Sequence, residues 1–223
     1  MSILFLGKKG DQYALDASLA ASELAEDVTV CMTTKDEPFP DEILNWSGDW
    51  IISYLCQRVV PASLLEKARS GAINFHPGPP QYPGIGCTNF AIYNEEKEFG
   101  VTCHHMLPQV DSGKVVAVHR FPLLQEDSVL SLTKRCYSAI AQLYSEILLD
   151  IVQGRPLPQS GETWTRQPYT LKDFFELCRL TLDMDVEEQR RRIRATQFPG
   201  GHGPYFDING RRFVLEGSKA VPR

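Results

Sequence analysis

The stretch from Ala72 to Gly86 reads AINFHPGPPQYPGIG and sets an amide, Asn74, two positions before an imidazole, His76. In a β-strand, side chains two apart share a face, so Asn74 and His76 point together while Phe75 packs behind them. Pro77 stops the ladder, which places both polar groups at the carboxy end of the strand, where open α/β sheets take their ligands. The Pro/Gly-rich run that follows forms a stiff loop beside the site. An amide donor next to an imidazole suits acyl transfer: the amide can hydrogen-bond a developing oxyanion, and the imidazole can act on the nucleophile's proton. A third group is then needed to orient the ring. Asp111, in QVDSGK, lies thirty-five residues on, in the turn after another β-rich run.

Other chemistry-bearing residues have plainer readings. A lone histidine at a strand end is more often structural, and Asp111 by itself is an ordinary turn residue; the combination argues otherwise. Cys103-His104-His105 suggests a metal site, yet neighbouring strand residues face opposite ways and the spacing fits no common zinc pattern, so no metal is expected. Gly7-Lys8-Lys9-Gly10 after the first strand is neither a dinucleotide fingerprint nor a phosphate-binding P-loop. Arg190, Arg191, Arg192 and Arg194 form a basic run, but Glu187 and Glu188 precede it at helical spacing, which makes it a solvated face. Leu182, Val186 and Ile193 would be the buried stripe beneath. Trp164, Phe198 and Tyr205 are candidates for packing.

The elements that must position these groups follow from the pattern. Ile3–Leu6, Val28–Met32, Trp50–Ser53 and Ala72–Phe75 read as strands. Between them lie helical stretches at Tyr13–Ala25, Asp41–Trp46 and Pro61–Arg69, the last closed by Gly71. That alternation implies βαβ units and a parallel sheet. A helix at Asn89–Asn94, strands at Gly100–Met106 and Lys114–Pro122, and a long amphipathic helix from Asp127 or Ser128 to about Gly154 complete a first unit, 1–155. GRPLPQSG then acts as a connector. The remainder, 156–223, holds helices at Leu171–Leu180 and Val186–Gln197 and a hairpin turning at Asn209-Gly210, a pair that favours a type I′ turn.

Bulk properties exclude several classes. The 223 residues are 43% hydrophobic and 23% charged, with net charge −5. That balance argues against a dedicated nucleic-acid binder. The amino-terminal apolar run is too short for a signal peptide, and charges interrupt the long helix, so no membrane span is expected. Six scattered cysteines read as reduced thiols of a cytoplasmic protein.

NFHPGPPQYPG followed by GVTCHHM and VDSGKVV resembles the formyltransferases that use N10-formyltetrahydrofolate, over residues 1–155 or so. The resemblance implies a Rossmann-like, mostly parallel sheet with flanking helices, plus a small carboxy-terminal helix and hairpin appendage. It implies that Asn74, His76 and Asp111 are the catalytic trio, with Asp111 holding His76 and favouring its charged form. Arg58, Val59 and Val60 match the pterin-contacting stretch, and Leu107, Pro108, Gln109, Val110 and Asp111 match the loop around the other side of the pterin. Lys8, Lys9 and Tyr82 are the matching candidates for the acceptor side. Pro77-Gly78-Pro79-Pro80 after the histidine is similar to the sugar N-formyltransferases, whose acceptors are nucleotide-linked amino sugars and whose products feed bacterial surface polysaccharides such as the lipopolysaccharide O-antigen. The implied acceptor is dTDP-4-amino-4,6-dideoxyglucose. Alternatives are a 3-amino sugar nucleotide, glycinamide ribonucleotide, initiator tRNA, a deformylase that releases formate, or a folate-binding protein without catalysis. The hairpin's edge strand predicts a homodimer.

Overall fold

The computed structural model describes residues 1–222. Its core is a six-stranded sheet in the order β2-β1-β3-β4-β5-β6. The strands are β1 (Ser2–Lys8), β2 (Asp27–Thr33), β3 (Gly48–Tyr54), β4 (Ala68–His76), β5 (Glu98–His105) and β6 (Val115–Pro122). The first four run parallel, β5 runs antiparallel to β4, and β6, antiparallel to β5, returns to the direction of the first four. The α/β class and mostly parallel sheet expected above are therefore present. Helices α1 (Gln12–Leu24), α2 (Asp41–Leu44), α3 (Ala62–Leu65), α4 (Cys87–Tyr93) and α5 (Val129–Val152) link or follow these strands.

Strand alternation explains the two layers. Ile3, Phe5, Ile52, Tyr54, Ile73 and Phe75 point into a large core shared with Ala14 and Ala17 of α1 and Ile140, Leu143 and Ile147 of α5. Leu4, Leu6, Ile51 and Ala72 point the other way, onto Phe39, Ile43 and Leu64. The near-continuous apolar run of β1 thus fits a central parallel strand covered on both faces. Asn74 and His76 continue the parity of Ala72, so they emerge on the α2–α3 side, beyond the end of that smaller core. Because β1 is flanked by β2 on one side and β3 on the other, the chain order reverses there, which opens a crevice at the carboxy ends of the strands.

Two expected boundaries move. The helix read over Pro61–Arg69 stops at Leu65, because the β3–β4 ladder reaches back to pair Gly48 with Ala68. Gly71 accordingly lies inside β4. The helix read over Leu171–Leu180 ends at Cys178 (α6), and Arg179–Leu180 form a short strand, β7, that pairs with β8 (Tyr205–Ile208). A further helix, α7 (Val186–Thr196), precedes β8, and β9 (Arg211–Val214) completes a three-stranded sheet. Asn209 and Gly210 both take positive φ, 48° and 73°, as a type I′ turn requires.

The carboxy-terminal elements share the main core through Leu177 and Ala195, and Asn89 donates to the Ala195 carbonyl at 2.7 Å. Leu182 and Val186 are exposed, contrary to the stripe read for α7: that helix is anchored at its other end, by Ala195 and Thr196. Arg190, Arg191 and Arg192 pair with Glu187 and Glu188, while Arg194 donates to the Gln125 and Asp127 carbonyls. All six cysteines are free, and among the described residues no helix is long and apolar enough to cross a membrane.

Helix α5 opens on a capping box in which the Ser128 side chain accepts from Ser131 N–H and Ser131 answers to the Ser128 backbone. Ser128→Ala removes one cap acceptor and is expected to cost about 1 kcal/mol. Thermal melting should then fall by roughly 2–4 °C for a chain of this size; an unchanged midpoint would show that α5 is held by packing alone.

Candidate active site

The crevice holds a cleft of about 440 Å³. Its walls come from the end of β1 (Lys8), the segment after β3 (Leu55–Val60), the end of β4 (Asn74–Pro77), Gly84 and Ile85, and the turn after β5 (Met106, Leu107, Gln109–Asp111). Asn74, His76 and Asp111 all line it, linked through His104. Arg58, Val59 and Val60 line one side with Leu107, Gln109 and Val110 opposite, while Pro108 is not part of the lining. Lys8 lines the other end beside Tyr137 of α5. Lys9 does not reach the cleft; it is exposed and bonded to Glu37. Tyr82 is likewise elsewhere: its ring is buried against Phe99 and its hydroxyl donates to Glu96. Its contribution is its backbone carbonyl, which accepts from His76.

Asp111 is the hub. Its Oδ2 accepts from Gly84 N–H at 2.7 Å and lies 3.3 Å from His76 Nδ1, while its Oδ1 lies 3.3 Å from His104 Nε2. Burial alone would raise the carboxyl's pKa; the charge of His76, then the hydrogen bond and charge of His104 and the Gly84 amide, outweigh it and hold the group down at about 2. The carboxylate is 6% exposed and sits on a backbone with φ of 44°, unusual for a residue with a Cβ.

His76 has little freedom. Its Nε2–H donates to the Tyr82 carbonyl at 2.8 Å, which leaves Nδ1 as the nitrogen for any proton transfer, facing Asp111. That contact is loose, as catalytic contacts often are before substrate tightens them. His104 is the member that sequence reasoning missed. Antiparallel pairing sets it directly opposite Asn74, so both side chains stand on one face. Its Nδ1–H donates to the His105 carbonyl at 2.8 Å, and its Nε2 lies 3.1 Å from Asn74 Nδ2. Nε2 cannot accept from Asn74 and donate to Asp111 at once. The two arrangements differ by one proton and by the direction of the Asn74 amide.

The Arg58–Val60 and Leu107–Val110 walls present apolar side chains to the opening, with Val59 65%, Leu107 53% and Val110 45% exposed. Apolar walls around backbone amides suit a flat, polar-edged ring system bound between them. Lys8 Nζ contacts Asp11 at 3.1 Å and the Tyr137 hydroxyl at 3.2 Å. Burial lowers its pKa, but Tyr137 and Asp11 more than compensate, so it is raised and the ammonium stays charged at the cleft. Among the described residues no group of three or more His, Cys, Asp or Glu is placed to hold a metal ion.

Two outcomes test this geometry. Gly84 has φ of 86°, and a Cβ there would fall 2.3 Å from the Tyr169 carbonyl oxygen, so Gly84→Ala is expected to cost on the order of 2 kcal/mol or more in thermal unfolding. Secondly, a folded pKa of about 2 for Asp111 lies below an unfolded value of about 3.9. Its stabilisation, roughly 2–3 kcal/mol, is therefore complete above about pH 4 and lost as pH falls through about 2. Denaturant midpoints between pH 4 and 2 should fall less steeply in Asp111→Asn than in the parent; parallel slopes would contradict the assignment.

Residues 7–148 match the formyl transferase family. Methionyl-tRNA formyltransferase of Hydrogenobaculum sp. (strain Y04AAS1) is 27% identical over 172 residues, which cover 76% of this chain and 56% of that protein. The chain therefore spans little more than half the length of that relative. Among solved structures, a sugar N-formyltransferase from Shewanella sp FDAARGOS_354 superimposes with a TM-score of 0.77 at 18% identity, over the whole of both chains. A 4-N formyltransferase from Francisella tularensis gives 0.76 at 18% identity, over 100% of this chain and 98% of that one; at such identities the likeness speaks for the fold. With more than half its length matched, the chain belongs to the formyl transferase family.

Proposed function

We propose that the protein transfers a formyl group from N10-formyltetrahydrofolate to the amine of a nucleotide-linked amino-dideoxy sugar, with dTDP-4-amino-4,6-dideoxyglucose as the first candidate. The observation that carries the reading is the placement of Asn74, half-buried in the lining of the cleft, with the Asp111–His76–His104 cluster beside it. Family membership supports formyl transfer, and the sugar and 4-N formyltransferases of matching fold support the acceptor class. The acidic net charge of −5 gives no support to a tRNA acceptor.

In this reading the pterin lies between Arg58–Val60 and Leu107–Asp111, and the bound folate supplies the formyl carbon as electrophile. Asn74 donates its free N–H to the negative charge that develops on the formyl oxygen, while His104 holds the amide by its other N–H. His76 accepts the acceptor's proton through Nδ1 as the new C–N bond forms and gives it to N10 as the C–N10 bond breaks and tetrahydrofolate leaves; Asp111 orients the ring throughout. Lys8 meets a phosphate of the acceptor, its charge sustained by Asp11. A nucleotide thereby takes the Lys8–Tyr137 end of the cleft and folate the other.

An acceptor panel with N10-formyltetrahydrofolate, read as tetrahydrofolate release, tests the proposal. The panel holds dTDP- and UDP-linked 3-amino and 4-amino sugars, glycinamide ribonucleotide, initiator methionyl-tRNA and a no-acceptor control. Turnover on one amino-sugar nucleotide is expected; turnover on the tRNA or the ribonucleotide replaces the acceptor, and turnover without acceptor means a deformylase. Asn74→Ala is expected to lower kcat by about 10²–10³, and His76→Ala and Asp111→Ala by at least about 10². Lys8→Met should raise the acceptor KM by about tenfold while leaving kcat within a few-fold. Near-normal turnover in any of the first three variants removes that residue from the mechanism.

A further inference from the structure

We propose that Trp164 is a positioning residue for the reaction, carried by the segment 156–170 to hold His76 and His104 about Asp111 and to screen their outer side from solvent. The segment is a strap. Ser160 N–H donates to the Val116 carbonyl at 3.0 Å, tying the strap to the outer strand of the large sheet. Thr165 N–H donates to Pro80 at 3.2 Å and Tyr169 N–H to Pro83 at 2.9 Å, while Ile85 N–H returns a bond to Tyr169 at 2.9 Å. The loop that begins at Pro77 is thus clamped from outside by main-chain bonds.

At the centre of the strap, the indole of Trp164 meets both imidazoles edge-on. Its ring centre lies 5.8 Å from that of His76 at 74° and 5.0 Å from that of His104 at 88°. Its Nε1–H donates to the Gly113 carbonyl at 2.7 Å, in the same turn that carries Asp111. One side chain therefore touches three parts of the site: β4, β5 and the Asp111 turn.

Trp164 is not serving the core. Trp46 and Trp50 pack against the two hydrophobic clusters, whereas Trp164 belongs to neither. It is half-buried and borders a polar outer groove formed with Gln109, Asp111, Ser112 and Arg166. Asp111 lines this groove as well as the main cleft, so the indole stands where water would otherwise reach the carboxylate from behind. Charges exchanged among Asp111, His76 and His104 interact more strongly when water is kept off. Aromatic edge contacts are directional, which fixes the ring planes and with them the aim of His76 Nδ1.

The test has a spectroscopic arm on the free protein and a kinetic arm; only the kinetic arm rests on the proposed formyl transfer. Long-range ¹H–¹⁵N spectra read the protonation pattern of each imidazole, assigned with His76→Gln and His104→Gln. Trp164→Leu is expected to change the nitrogen pattern of His76 and His104 and leave His119 and His202 unmoved. With the acceptor that the panel identifies, it should lower kcat at least tenfold and alter donor KM less than twofold. Trp164→Phe keeps an aromatic edge, loses the bond to Gly113, and should retain at least a third of kcat with a near-parent nitrogen pattern. Should the leucine variant not fold, Trp164→Met takes its place. Unmoved His76 and His104 signals overturn the proposal, as does a kcat loss matched by the donor KM or not rescued by phenylalanine. A silent acceptor panel counts against the choice of acceptor alone, because the spectra decide the role of Trp164 without it.

Discussion

One buried carboxylate governs the arrangement of the site. An ionised side chain withdrawn from water costs several kcal/mol unless partners offset it, and Asp111 has three: the Gly84 amide, His76 and His104. Each partner constrains a different part of the chain. The amide must come from a loop that folds back over the sheet, one imidazole from the end of β4, the other from the end of β5. The turn that delivers Asp111 adopts a left-handed backbone that ordinarily costs on the order of 1–2 kcal/mol. The satisfied carboxylate is what makes that backbone tolerable.

The sheet's change of direction is what brings the partners together. In its parallel half, β1, β3 and β4 end at one edge and leave the crevice that parallel order creates. A further parallel strand would have ended at that edge like the others. The antiparallel β5 instead enters there and runs inward, which sets His104 beside Asn74 and His105 beside Ile73, and the following turn brings Asp111 to 3.3 Å from each of His76 and His104 in the cleft lining. The parallel portion thus builds the container, and the reversed portion supplies much of the chemistry inside it.

Legibility from sequence follows the same division. Asn74 and His76 could be read because a strand followed by proline is a local pattern, and their joint orientation depends on neighbours alone. Asp111 was readable because a turn and a strand bracket it. His104 was not, since its place is set by the register between two strands thirty residues apart, and strand parity alone could only separate it from Cys103 and His105. Trp164 follows the connector GRPLPQSG and could be read only as a candidate for packing, because proline and glycine there erase any periodicity that would show the path of the chain. The Tyr82 and Lys9 side chains lie off the cleft because adjacency to a motif does not say which way a side chain turns. The shortened helix at Ala62–Leu65 and the strand at Arg179–Leu180 were hidden for one reason: pairing with distant strands overrode a local helical pattern.

The clamp between Pro80, Pro83 and the strap also bears on how the molecule comes into being. Its hydrogen bonds join residues about 85 positions apart, and such loops close late because their ends must first find each other through a large ensemble. The first 152 residues supply the sheet and most of its two apolar layers, with Leu177 and Ala195 completing the larger one, but the outer side of the two imidazoles is covered only once residues 160–169 have docked. Closure of the site therefore trails compaction: a chain still leaving the ribosome can be largely folded with its imidazoles open, and residues 160–169 of that strap decide when they are covered.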